Sequence, residues 1–144
     1  MGVSCALLAR GASYSVETNK GITALIAAAY GGHTLVVNAL LKVGANVEAT
    51  TKQGQTALYA ASHAGHVGVV QTLLQHGAKV QHRDNQRETA LFAASKSGNV
   101  AVVQLLLRAG ANVQVKNCVG ENALLQASAG GWGYIVQALL GNAL

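Results

Sequence analysis

The stretch Thr56–Glu88 reads TALYAASHAGHVGVVQTLLQHGAKVQHRDNQRE. Before it, Thr23–Gln55 reads TALIAAAYGGHTLVVNALLKVGANVEATTKQGQ, and after it, Thr89–Glu121 reads TALFAASKSGNVAVVQLLLRAGANVQVKNCVGE. Each runs 33 residues and the three align without a gap. Asn122–Leu144 opens another copy, NALLQASAGGWGYIVQALL, and Val3–Ile22 matches the second half of an earlier one. Self-similarity at a fixed period of this length is the mark of a stacked-repeat architecture. The chain reads as one solenoid: a partial repeat at 1–22, full repeats at 23–55, 56–88 and 89–121, and a partial repeat at 122–144.

Each unit reads as two short helices and a loop. Thr23, Thr56, Thr89 and Asn122 are good N-cap residues followed by small apolar runs. Gly32, Gly65, Gly98 and Gly131 then stop the first helix where positive φ is needed. The second helix carries Val36–Val37 with Leu40–Leu41, Val69–Val70 with Leu73–Leu74, and Val102–Val103 with Leu106–Leu107, one broad apolar face. Gly44, Gly77 and Gly110 end it, with Arg10, Lys42 and Arg108 in last turns where a cation suits the helix dipole. Helices of about eight to ten residues are marginal alone in water, so the units must stack.

These residues resemble the ankyrin repeat, with its period of 33 residues, T-x-L-x-x-A-x-x-G-H, then V-V-x-x-L-L-x-x-G-A-x-V. The resemblance covers nearly the whole chain. It implies an all-α solenoid: an antiparallel helix pair and a β-turn finger per repeat, stacked into a curved array. It also implies protein recognition through the finger tips and the exposed concave face of the first helices. The pattern is broken in places. The family's T-P-L-H becomes Thr-Ala-Leu followed by Ile26, Tyr59, Phe92 or Leu125. Alanine partly offsets the lost proline by helix propensity, and the apolar groups are expected to exchange a polar inter-repeat link for packing. Arg87 stands where Gly21, Gly54 and Gly120 stand, so that finger is expected to differ in backbone or to carry strain. Asn99 and Trp132 replace the histidine of Gly-His, and Gly141–Asn142 depart from the repeat.

Composition bounds the function. Of 144 residues, 51% are hydrophobic and 10% charged, which excludes a disordered chain. The 17 Gly have no three-residue period and Pro is absent, which excludes collagen and proline-rich linkers. Cys5 and Cys118, more than three repeats apart, lie beyond disulfide reach and do not make a secreted disulfide scaffold. No basic-then-apolar leader opens the sequence, and an intracellular location, cytoplasmic or nuclear, is expected. Gly21–Leu41 and Asn122–Leu144 lack Asp, Glu, Lys and Arg, yet His33, Thr34, Asn38, Gln126 and Gln137 interrupt them. The repeat accounts for both stretches better than a membrane span does.

Catalytic and metal chemistry find no footing. Among Glu17, Glu48, Asp84, Glu88 and Glu121, no two share a helix face as an acid/base pair would. Asp84 and Glu88 share a loop with Arg83 and Arg87 and read as solvated or locally paired. No G-x-x-x-x-G-K-[ST] run occurs, and Gly130–Gly131–Trp132–Gly133 is the helix-to-helix turn with an extra glycine. His33 and His66 fall on successive layers about 10 Å apart, too far to share one ion. Cys118 has no histidine in its own repeat to activate it. The reading is therefore not an enzyme, with no cofactor and no metal site.

The candidate binding residues are those that vary between repeats while the framework does not. Layer by layer they are Asn19, Lys20 and Ile22 with Tyr30; Lys52, Gln53 and Gln55 with His63; Asn85, Gln86 and Glu88 with Lys96; and Val119 and Glu121, beside Cys118 and Ala129. Tyr30 is the best anchor, pairing contact area with a polar tip. The formal net charge is +5, and Lys20, Lys52, Arg83, Arg87, Lys96 and Lys116 fall on fingers or first-helix ends. That bias suits an acidic segment of another protein, or serves solubility alone. Nucleic acid would call for denser basic clusters with interleaved aromatics, whereas the chain has one Trp, one Phe and four Tyr. Two further readings are a spacer or self-stacking piece of a larger array, and the regulatory module of an enzyme encoded elsewhere. The last helix shows Ile135, Val136, Leu139 and Leu140 with no charge, so self-association through apolar end repeats is a further expectation.

Overall fold

The computed structural model describes residues 18–143. Of the partial repeat expected at 1–22, the finger Thr18–Ile22 is described; Cys5, Arg10 and Glu17 lie outside the described residues. Among the described residues there are eight helices and no strand: α1 Ala24–Gly31, α2 Thr34–Lys42, α3 Ala57–Ala64, α4 Val67–Gln75, α5 Ala90–Ser97, α6 Val100–Arg108, α7 Ala123–Ala129 and α8 Gly133–Ala143. None is long and apolar enough to cross a membrane.

The helix starts follow from local chemistry. The Thr23 and Thr56 hydroxyls accept from the Ile26 and Tyr59 N–H at 3.3 Å, and Asn122 Oδ1 accepts from Leu125 N–H at 2.9 Å. Thr89 holds the same extended N-cap backbone but makes no side-chain cap bond, a departure from the sequence expectation. The first helices end in a left-handed glycine, Gly32 at φ 78°, Gly65 at 83° and Gly98 at 80°. The residue after each closes the turn, His33 N–H donating to Ala28 O and His66 N–H to Ala61 O at 3.0 Å. These glycines have a second duty. A Cβ at Gly98 would stand 2.6 Å from Cε2 of Trp132, and one at Gly32 would stand 2.7 Å from the His66 ring. The side chain in the Gly-His position thus lies over the glycine one repeat earlier. It also ties the layers: His66 Nε2 bonds Tyr30 O at 3.0 Å, and Asn99 Nδ2 donates to Ser62 O and His63 O at 2.9 and 3.1 Å.

First helices stack on first helices and second on second, and each pair packs together within its repeat. Leu25, Leu58 and Leu91 from the first row meet Val37, Val70 and Val103 with Leu40, Leu73, Leu106 and Leu139 from the second, all buried in one continuous core. Each such side chain contributes about 1.5–3 kcal/mol by leaving water, which the short helices lack alone. The apolar face is narrower than its sequence reading. Leu41, Leu74 and Leu107 sit half-buried at the margin, and Leu140 is exposed.

Candidate partner-binding face

The fingers are built on one position whose role the period alone does not reveal. Thr18, Thr51, Asp84 and Asn117 each turn a side-chain oxygen back onto two backbone N–H groups, two and four residues on. Such short polar side chains pin tight turns by local bonding, so turn chemistry was the signal available in the sequence. Backbone bonds repeat the pattern, Thr51 N–H to Gln55 O, Asp84 N–H to Glu88 O and Asn117 N–H to Glu121 O at 2.8–2.9 Å. Neighbouring fingers then join through the backbone: Lys52 N–H to Lys20 O, Asn85 N–H to Gln53 O and Cys118 N–H to Gln86 O, at 2.9, 3.0 and 2.9 Å. The tips form a fixed row rather than independent loops.

On that row Asn19, Lys20, Lys52, Gln53, Asn85, Gln86 and Val119 are exposed, and Tyr30, His63 and Lys96 are exposed on the first helices. Ile22, Gln55 and Glu121 are half-buried. Six of these residues come together: Asn19, Lys20, Ile22, Lys52, Gln53 and Gln55, with Thr51, line a cleft of about 340 Å³ between the first two fingers. Two members are also used internally. Asn85 Nδ2 donates to Lys52 O at 2.9 Å, and His63 Nδ1 meets the Ser97 hydroxyl at 2.9 Å.

Glu88 does not belong to the surface. It is 5% exposed, and its carboxylate accepts from the Tyr59 hydroxyl at 3.3 Å and from Asn117 Nδ2 at 3.1 Å. The side chain thus joins Tyr59 of its own repeat to Asn117 of the next instead of meeting a partner. Asp84 is likewise buried; of the two expectations, solvated or locally paired, neither acid is solvated, and Asp84 is held locally by backbone N–H groups of its own loop. Tyr59 correspondingly keeps a polar link to the third finger where packing alone was expected; Ile26 and Phe92, at the same repeat position, are buried, whereas Leu125 is exposed. The Tyr59 hydroxyl titrates well above the ordinary phenol range, first because burial disfavours the phenolate and then because Glu88 and Asp84 repel it.

Among the described residues the exposed charges of the face are basic. Lys20, Lys52, Arg83, Arg87, Lys96 and Lys116 are all exposed. The described acids are turned inward or held: Asp84 and Glu88 as above, Glu48 by Lys79 N–H at 2.8 Å, and Glu121 by Gln126 Nε2 at 3.0 Å and Asn117 Nδ2 at 3.2 Å. Arg87 keeps the finger geometry of its glycine counterparts, its N–H bonding Asp84 O at 2.9 Å, and so takes φ 65°. Of the two expectations for this position, altered backbone or strain, strain is the one realised. Among the described residues no three His, Cys, Asp or Glu side chains gather as a metal site would require.

No curated protein matches the sequence. Residues 3–84 and 81–143 match the family model described as ankyrin repeats (3 copies). Ankyrin repeats are in general protein–protein interaction modules, and a match over nearly the whole length, on a fold of helix pairs and fingers at the family period, means that the chain belongs to the ankyrin-repeat family.

Proposed function

We propose that this chain is a non-catalytic recognition module that binds an acidic segment of another protein across its finger tips and first-helix face. The observation that carries the reading is the segregation of charge. The basic side chains of the fingers project into solvent, while Asp84 and Glu88 are drawn inward beneath them. A surface of one sign speeds the approach of an opposite charge and discriminates against like charge. The cleft between the first two fingers, flanked by Lys20 and Lys52, offers an insertion point.

The test is fluorescence anisotropy with a short labelled Asp/Glu-rich peptide at low and physiological salt. A single-stranded oligonucleotide of equal charge serves as the rival probe. Combined reversal of Lys52, Lys96 and Lys116 to Glu should weaken peptide binding at least about tenfold, or about 1.4 kcal/mol. Equal binding by wild type and the triple variant would reject the reading, as would preference for the oligonucleotide.

One observation favours a second reading, self-stacking through the end layer. Leu125, Tyr134 and Leu140 are exposed at 51%, 79% and 46%, and Trp132 and Tyr134 line a cleft of about 430 Å³ with Val100. Light scattering over a range of concentrations tests it. Growth in mass insensitive to salt and abolished by Tyr134→Ser with Leu140→Ser would support it; a monomer at all concentrations would end it.

A further inference from the structure

Among the described residues Arg87 is the one non-glycine at positive φ, at 65°. The equivalent positions of the other fingers are Gly21 at 79°, Gly54 at 80° and Gly120 at 84°. An L-residue with a long side chain is disfavoured there, because its Cβ crowds the following carbonyl. The finger has not relaxed to relieve the conflict. Asp84 N–H still bonds Glu88 O, Asp84 Oδ1 still accepts from Gln86 and Glu88, and Cys118 N–H still reaches Gln86 O. The surrounding bonds hold Arg87 in place at a cost that glycine would remove.

Nothing inside the described structure repays that cost. The Arg87 side chain is exposed and makes no hydrogen bond or ion pair with any described residue. The two carboxylates nearest in sequence are turned away: Asp84 onto backbone N–H groups and Glu88 onto Tyr59 and Asn117. The guanidinium is therefore fixed at its base, presented outward and left without a counter-charge. Strained backbone of this kind clusters at ligand-binding and switch positions.

We propose that Arg87 is the specificity-determining contact of the recognition surface, its guanidinium taking a partner carboxylate in a two-point hydrogen-bonded pair at the third finger. The planar fork of arginine matches a carboxylate in a way a lysine ammonium does not. Arg87 would thus set the register of an acidic segment that the other cations attract without positioning. This rests on the acidic-segment reading above.

The experiment compares Arg87→Gly, Arg87→Lys and Arg83→Gly, measuring urea unfolding and anisotropy with the same labelled acidic peptide. Arg87→Gly should fold more tightly, its unfolding constant falling about fivefold as left-handed strain is lost against glycine's greater freedom when unfolded. It should nonetheless bind the peptide at least about tenfold more weakly. Arg87→Lys keeps charge and strain but loses the fork, and should lose more affinity than Arg83→Gly, which removes a full charge from the same loop. Arg87→Gly binding like wild type, or Arg83→Gly losing as much, would overturn the assignment while leaving the acidic-segment reading intact. Failure of wild type to bind any acidic peptide would overturn both.

Discussion

Removing one oxygen tests the part-buried link between α3 and the third finger. In Tyr59→Phe the ring still packs, but Glu88 Oε1 loses the hydroxyl that donates to it at 3.3 Å. That distance is long for an O–H···O bond, and Asn117 still holds Oε2 at 3.1 Å, so the cost at neutral pH should be about 1 kcal/mol. Alkali makes the substitution diagnostic. The folded phenol is held protonated by burial and then by the charges of Glu88 and Asp84. Its folded pKa is raised, so the stability it contributes is fully present below the unfolded value of about 10 and is lost as pH climbs above that. Full linkage is about 1.4 kcal/mol per pH unit; the hydroxyl is half-buried, and discounting for water leaves about 1 kcal/mol. Wild type should therefore fall toward the variant as pH rises, and the difference of about 1 kcal/mol at neutral pH should vanish near pH 11. Urea unfolding of both proteins by far-UV circular dichroism reads the difference, and the other three tyrosines and the lysines cancel between them. A gap that stays constant from pH 7 to about 11 would refute the proposed coupling.

Three other substitutions follow from the packing. Gly98→Ala combines φ 80° with a Cβ 2.6 Å from the Trp132 ring, and should cost about 3 kcal/mol in thermal unfolding. Gly120→Ala, at φ 84° with nothing within 4 Å, should cost only about 1 kcal/mol; equal costs would show that Trp132 does not cover Gly98 tightly. Ser95→Ala removes a fully buried hydroxyl that has no hydrogen-bond partner and improves helix propensity, so it should raise stability by about 1 kcal/mol, and a loss would reveal a bond the hydroxyl makes after all.

What was legible in the sequence is what a single repeat decides by itself. Gly32, Gly65 and Gly98 end helices because the chain must turn left-handed there, and Thr23, Thr56 and Asn122 cap because their oxygens reach an N–H three residues on. Arg87 stood out because three glycines occupy its register, and its backbone follows theirs. What was illegible depends on groups one repeat away. Glu88 looks like a finger-tip acid until Tyr59 and Asn117, each 29 residues distant, are seen to bury it. His66 and Asn99 are recognisable in the sequence only as occupants of the Gly-His position, yet their side chains reach back to carbonyls of the preceding layer. Leu41, Leu74 and Leu107 match the apolar spacing but end at the margin, because the stack is only one helix pair deep.

The function proposed for the positive finger row and first-helix face is to bind an acidic protein segment. Titrating isotope-labelled protein with the acidic peptide and following backbone amide shifts by NMR tests it most directly. Saturable shifts are expected at Lys20, Lys52, Gln53 and Arg87, extending to Tyr30, His63 and Lys96, and fading with salt. Shifts centred instead on Leu35, Gln71 and Gln104 of the second helices, or none at any peptide concentration, would contradict it.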